Sequence, residues 1–266
     1  MKLRPTSILA ITIPALLWLT FACSSVRSLH PAAAPTPYVI LKLDDAWFEN
    51  DLVHPGWTQV LDYLNAKNIV ATIGIVGERM QDGSPDYYAW LQAQDARGHE
   101  VWNHGWCHCK PVVEGQEVRE FLGTSYTHQL RSLQKTQALL LDKTGLRMTT
   151  FGAPYNAVDT NTARALAELP ELTEWLYAPN NIVTTKARYP RIPALNLEQP
   201  VHVPNPDSLI AAWEQYQHEP LIVLQGHPRS WVADASRMED FKRIIQFLEA
   251  KKVRFITPRQ YRELMR

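Results

Sequence analysis

What is scarce in this chain narrows its function before any motif does. Cysteine occurs only three times in 266 residues, so no disulfide framework organises a small stapled scaffold. An excess of one charge is missing too. The 27 basic and 27 acidic residues leave a formal net charge of zero, which removes the electrostatic basis for a nucleic-acid partner or an acidic tail. Internal repeats are absent, and the only low-complexity stretch is a short Pro/Ala-rich segment near the N-terminus. The apolar run Ile8 to Phe21 is too short to read as a membrane span. What remains is 45% hydrophobic, enough to bury a sizeable core as one domain. Nine Trp and ten Tyr exceed what packing alone asks for. Several lie beside polar motifs, where either a saccharide-binding surface or an ordinary core and rim would place them.

Residues 1–22 read as an export signal, with Lys2 and Arg4 ahead of the apolar run. Leu19-Thr20-Phe21-Ala22-Cys23 resembles a bacterial lipoprotein signal cut before Cys23, although Thr20 stands where Leu is usual. The alternative is an ordinary signal peptide with Cys23 left over. Residues 23–37 read as a tether, and residues 38–266 as the catalytic domain. The expected address is the bacterial cell envelope (periplasm or outer membrane) or secretion, with membrane contact only through a lipid on Cys23. Cys107 and Cys109 flank His108. In an extended segment they are poorly placed to bond to each other, so both are expected to be small buried side chains.

Short apolar runs alternate with helical patterns along the domain. Strands are expected at 38–43, 69–76, 99–103, 148–151, 172–177, 221–225 and 253–256. Helices are expected at 57–65, 86–96, 114–143, 161–169, 206–218, 234–251 and 258–265. Residues 180–203 are the least regular. Such alternation predicts an α/β barrel or a doubly wound sheet. The barrel is favoured because polar clusters follow several strands: Asp44/Asp45, His104/His108, Tyr155/Asn156 and His227.

His104 and His108 stand four residues apart, close enough to aim both imidazoles at one point. A pair of this kind is common by chance, and a single histidine more often satisfies a surface or core contact. Asp45 can add a carboxylate. Two imidazoles and one carboxylate with an open position make a hydrolytic metal site. The chemistry then needs a second carboxylate to take a proton from water and a distant acid for the leaving group.

These residues carry a family resemblance. Asp44-Asp45 at a strand end, Gly98-His99-Glu100-Val101-Trp102-Asn103-His104 with His108, Pro154-Tyr155 and His227 are similar to the motifs of the polysaccharide deacetylase, or NodB-homology, group of family-four carbohydrate esterases. The resemblance runs from Val39 to Tyr261. It implies a distorted (β/α) barrel of about seven strands, and a metal-dependent hydrolase that deacetylates N- or O-acetylated polysaccharides or oligosaccharides. By the resemblance, Asp45, His104 and His108 are the metal ligands, Asp44 the base and His227 the acid. The backbone N–H of Tyr155 helps hold the oxyanion. Ligand softness makes the cofactor a single divalent ion, Zn2+ ahead of Co2+, Ni2+, Mn2+ or Fe2+.

The chain also departs from the family pattern. Gly152 stands where the third motif has an arginine that orients the base, and Arg188 or Arg191 is the candidate to reach in. Glu174-Trp175 is the nearest match to the Asp-Trp fourth motif. Gln225 replaces the leucine that lines the acetyl pocket. Lys42 replaces a small residue, and as a strand neighbour of the aspartates it is expected to point elsewhere. Asn103 or Glu100 is expected to hold a ligand histidine's second nitrogen. Trp47, Trp102, Trp106, Trp175 and Trp231 are the saccharide-platform candidates, and Arg229 is expected in solvent. Two rival readings stay open: a carbohydrate-binding protein without turnover, and a hydrolase of non-saccharide linear amides.

Overall fold

Branched and aliphatic residues at the start of the domain form β1 (Tyr38–Ala46), which runs on through both aspartates and is buried from Val39 onward. The computed structural model describes residues 36–46, 48–49 and 52–266. The expected leader, Cys23, the tether as far as residue 35, and Trp47 lie outside the described residues. A small hairpin of β2 (Phe48–Glu49) and β3 (Leu52–Val53) follows β1. Next come α1 (Pro55–Ala66), β4 (Thr72–Ile75), α2 (Gly77–Met80), α3 (Pro85–Ala96) and β5 (Glu100–Asn103). A second hairpin, β6 (Val112–Val113) with β7 (Gln116–Glu117), precedes α4 (Tyr126–Thr144) and β8 (Thr150–Phe151). The chain continues through α5 (Thr160–Ala167), β9 (Glu174–Leu176), β10 (Ala187–Tyr189), α6 (Pro206–Tyr216) and β11 (Leu221–Gly226). It closes with α7 (Ala235–Ala250), β12 (Arg254–Phe255) and α8 (Pro258–Leu264).

Helix ends follow local chemistry. Ser84, Ser125, Asp159, Asn205 and Asp234 each accept a backbone N–H of the turn they open. Proline occupies the first turn of α1, α3, α6 and α8. The helix expected from residue 114 begins only at Tyr126. Glu114, Gly115 and Gly123 take left-handed backbone at φ 49°, 76° and 89°, which no α-helix can contain. Those residues form the β6–β7 hairpin and a turn instead.

The main sheet runs β10-β9-β8-β5-β4-β1-β11, and β12 pairs with the first two residues of β1. Its ladders are all parallel. The sheet curls into a half-barrel, which settles the choice between barrel and doubly wound sheet and matches the distorted barrel implied by the family resemblance. Among the described residues no ladder joins β10 to β11. Tyr177, just past β9, spans that side by donating its hydroxyl to the Val223 carbonyl on β11 at 3.0 Å.

The two-residue period of β1 decides what faces where. Val39, Leu41 and Leu43 pack against Trp57, Val60, Leu61 and Leu64 of α1 and Phe241, Ile245 and Leu248 of α7. Each such side chain contributes about 1.5–3 kcal/mol by leaving water. Ile40 turns the other way, into the barrel, beside Trp102, Leu176, Tyr189 and Val223. The same alternation carries Lys42 and Asp44 inward. On β11 it carries Val223 and Gln225 to meet them.

Candidate metal centre

In a regular strand Asp44 and Asp45 would face opposite sides of the sheet. The register of β1 against β4 shifts between Leu43 and Ala46, and Asp45 has a left-handed φ of 65°. This bulge swings the second carboxylate to the same mouth as the first. Asp45 Oδ1 then lies 3.3 Å from His104 Nε2 and 3.2 Å from His108 Nε2. Four-coordinate zinc, with bonds of about 2.0–2.2 Å, separates neighbouring donors by roughly 3.3–3.5 Å. Both Asp45 distances fall close to that spacing, and the three donor atoms all lie within 4.8 Å of one another.

The surrounding contacts suit a cation. Asp45 Oδ1 is a buried acceptor with no hydrogen-bond donor, an atom that a bound cation would satisfy. Asp45 Oδ2 accepts from Arg229 Nε and Nη2 at 3.3 and 3.1 Å, so the arginine expected in solvent is partnered with a proposed ligand. The Trp57 indole N–H donates to the Asp45 carbonyl at 3.2 Å. Burial would raise the Asp45 carboxyl, but the adjoining histidines, His104 first, hold it well below the usual carboxylate range. Burial also pushes His108 down to about 4. That leaves a neutral imidazole, the form a metal ligand requires.

His104 stands at the tip of β5. Its Nδ1 meets the Gly152 carbonyl at 2.7 Å, which directs Nε2 toward Asp45. This backbone carbonyl does what was expected of Asn103 or Glu100. Asn103 instead donates to the Leu133 carbonyl and to Gln137. Glu100 serves Thr150 and the Arg259 N–H. Glycine is required at 152, because a Cβ there would sit 2.7 Å from Trp102 Cζ3.

His108 sits in a tight turn at φ 47°. The Glu120 carboxylate gathers the N–H groups of Trp106, Cys107 and His108 at 2.7, 3.3 and 2.8 Å. Cys107 and Cys109 are joined by a disulfide across that turn, and both are half-buried. The expectation of two unbonded, buried thiols fails because the segment is folded back, with the two Cα atoms 5.0 Å apart. The Tyr155 hydroxyl donates to the His108 carbonyl at 2.9 Å, and its ring lies 4.4 Å from the imidazole. Tyr155 also has left-handed backbone, at φ 58°.

Asp44 is met by an ammonium rather than a guanidinium. Lys42 Nζ lies 2.7 Å from its Oδ1 and 2.5 Å from its Oδ2. The lysine expected to point elsewhere is two residues from Asp44, hence on the same face of β1. That spacing was the available signal. Gln225 Nε2 donates to Asp44 Oδ2 at 2.6 Å, and Asn156 Nδ2 donates to Gln225 Oε1 at 2.9 Å. Arg188 bonds the carbonyls of Pro179 and Ile182, and Arg191 lies over the Tyr177 ring. Burial pulls the Lys42 pKa below its ordinary value, against the opposing pull of Asp44.

His227 follows β11 and faces the same mouth, its Nε2 lying 4.0 Å from Asp44 Oδ2. Glu198 holds its other side: Oε2 meets His227 Nδ1 at 2.7 Å, and Oε1 accepts the His227 N–H at 2.7 Å. Burial alone would lower the imidazole, but this carboxylate, joined by Asp44 and Asp45, outweighs it and the His227 pKa is raised. Glu198 also accepts from the Trp231 indole and the His202 N–H. Glu198, His202 and His227 form a second group whose donor atoms lie within 4.8 Å. Four N–H donors already engage the glutamate, which makes it an anchor for His227. Nothing in the irregular stretch around residue 198 marked it in the sequence. Glu174, the expected fourth-motif acid, instead pairs with Arg262 at 3.1 Å. Of the platform candidates, Trp102, Trp175 and Trp231 are core residues at 0%, 1% and 0% exposure. Trp106 is half-buried beneath Lys135.

Comparison with known proteins agrees with this geometry. Residues 32–171 match the family described as polysaccharide deacetylase. A peptidoglycan-N-acetylglucosamine deacetylase, PgdA, of Listeria monocytogenes is 28% identical over 162 residues, covering 59% of this chain and 30% of the relative. The chain therefore spans less than a third of the length of that curated relative. Several solved structures share the fold, two of which illustrate it. One is the Xyl-CE4 domain of a multidomain xylanase from the hindgut metagenome of Trinervitermes trinervoides, with TM-score 0.57, 15% identity, and coverage of 86% of this chain and 91% of that one. The other is a CE4 family pseudoenzyme from Bacillus anthracis, with TM-score 0.57, 14% identity, and coverage of 85% and 65%.

Proposed function

The chain belongs to the polysaccharide deacetylase family, and from that premise we propose that it is a metal-dependent hydrolase removing acetyl groups from an acetylated glycan. The observation that carries this reading is the buried, donorless Asp45 Oδ1 set within 3.3 Å of two imidazole nitrogens, with Asp44 and His227 facing it. Asp45, His104 and His108 would hold one divalent cation, Zn2+ by donor type. Bound there, the cation supplies Lewis acidity, polarising the acyl carbonyl and lowering the pKa of water.

The Asp44 carboxylate receives the proton of the attacking water. The Tyr155 N–H donates to the oxygen on which charge develops, a contribution that is usually large when the donor is preorganised. His227 Nε2 delivers a proton to the departing sugar nitrogen or oxygen, and Glu198, accepting from Nδ1–H, favours the doubly protonated ring that carries that proton. The products are acetate and a free amino sugar or sugar hydroxyl. The relative's peptidoglycan substrate and the expected export signal support an envelope glycan, with the leader and a lipid on Cys23 forming part of the same proposal.

The test is acetate release by the zinc-loaded protein across N-acetylglucosamine and N-acetylgalactosamine polymers, peptidoglycan and acetyl xylan. Activity is expected on at least one substrate, to vanish with chelation, and to be abolished in Asp44→Asn with metal still bound. Glycan binding without acetate release would identify a binding protein on the same fold. Release from a non-saccharide amide alone would identify the other rival.

A further inference from the structure

Asp44 is enclosed by an arrangement that the metal-ligand geometry does not require. Lys42 is fully buried, at 0% exposure, and its ammonium reaches both carboxylate oxygens at once. The rings of Trp102 and Tyr177 flank that ammonium, their centroids 4.9 and 5.1 Å from Nζ. Cation–π attraction therefore replaces the water a lysine head group normally keeps. On the other side Gln225 donates to Oδ2 and is itself oriented by Asn156. Three contacts on two oxygens hold the Asp44 side chain in its observed orientation. In it, Oδ2 stands 3.8 Å from His104 Nε2 and 4.0 Å from His227 Nε2.

Two neighbouring carboxylates at one mouth repel unless each is neutralised. Arg229 serves Asp45 and Lys42 serves Asp44. No side chain from position 152 can take over, since even a Cβ there meets Trp102 at 2.7 Å. Here the counter-charge comes from β1 itself, where a two-residue spacing puts the lysine on the same face as the aspartate.

We propose that Lys42 is a positioning residue for the reaction, clamping the Asp44 carboxylate into the single orientation that faces both the metal ligands and His227. The inference rests on the reading of Asp44 as the proton acceptor. Lys42 is fully buried and hydrogen-bonds to both Asp44 oxygens, so its effect on the reaction passes through Asp44.

The experiment compares Lys42→Met, Asp44→Asn and the double variant with the parent chain. Metal-free melting temperatures are expected to show coupling: each single change destabilises, and the double variant loses less than the sum of the two. In the Zn2+-loaded proteins, Lys42→Met is expected to lower kcat about 100-fold, as a displaced reacting group does. KM and Co2+ affinity should stay within about threefold. A purely packing role would lower the melting temperature but leave kcat per bound metal intact, and that result overturns the proposal. Additive melting shifts overturn it as well. If the parent chain releases acetate from nothing, the hydrolase reading fails. The clamp is then judged by the coupling and by a crystal structure of Lys42→Met, where an unmoved Asp44 rotamer rejects it.

Discussion

Replacing Glu198 by glutamine tests the acid side of the site most directly. The change keeps the shape of the side chain and removes its charge. Glu198 now receives four N–H donors, two of them from His227. A hydrogen bond to a charged group is worth about 1.5–3 kcal/mol, and one pKa unit corresponds to about 1.36 kcal/mol. Loss of the carboxylate should therefore lower the His227 pKa by roughly one to two units. The direction follows from the parent protein, where Glu198 raises His227 against the lowering effect of burial. Above the new pKa the protonated, acid-competent fraction falls about 10- to 100-fold. The alkaline limb of the kcat–pH profile should move to lower pH by the same interval.

Stability carries the same signature. The raised pKa of His227 stabilises the fold fully below the unfolded value of 6.5, and that contribution fades as pH rises through the folded value. The Glu198 pKa is depressed. Its contribution is present above the unfolded value of 4.5 and is lost as pH falls through the folded one. The pair therefore stabilises most between those limits, and Glu198→Gln should flatten the stability–pH curve there. It should also destabilise the fold, since two buried N–H donors would face an amide NH2, at about 1–3 kcal/mol each. An NMR titration of the His227 imidazole in the metal-free protein reads the shift without needing a substrate. An unmoved His227 titration, or an alkaline limb unchanged in a variant with full metal affinity, would refute the reasoning.

Two further perturbations probe the elements that aim the ligands. Gly152→Ala drives a Cβ to 2.7 Å from Trp102 and displaces the carbonyl that orients His104. It should weaken metal affinity about 10- to 100-fold, measured by competition with a chromogenic chelator; unchanged affinity would show that the carbonyl does not matter. Glu120→Ala strips the acceptor from three consecutive N–H groups. It should destabilise the protein by several kcal/mol, at about 1–3 kcal/mol per orphaned donor, and lower Co2+ affinity through the loosened His108 turn. A melting curve and Co2+ spectrum identical to the parent's would contradict that account.

Which features were legible beforehand tracks the range of the interactions behind them. Strand–helix alternation, the apolar run into Asp44-Asp45 and the His104/His108 spacing are local patterns. The α/β class and a barrel with polar clusters at its strand ends could be read from them, and its distorted form came from the family resemblance. The helix over 114–143 was over-extended because its apolar periodicity persists through the left-handed residues that break it. The Cys107–Cys109 bond was missed because an extended segment was assumed where His108 turns the chain back. Lys42 was within reach, since a period of two puts it beside Asp44.

By itself, then, the sequence determined the α/β class and which carboxylates and imidazoles could meet at one mouth. Curling of the sheet decided the rest. It brought Gln225 onto Asp44 from 181 residues away, set Glu198 behind His227 from an irregular loop, and turned the Gly152 carbonyl onto His104. Contacts of this kind join positions whose separation along the chain carries no periodic signal. They exist only once backbone twist, a bulge at Asp45 and a few left-handed residues have brought distant strand ends together.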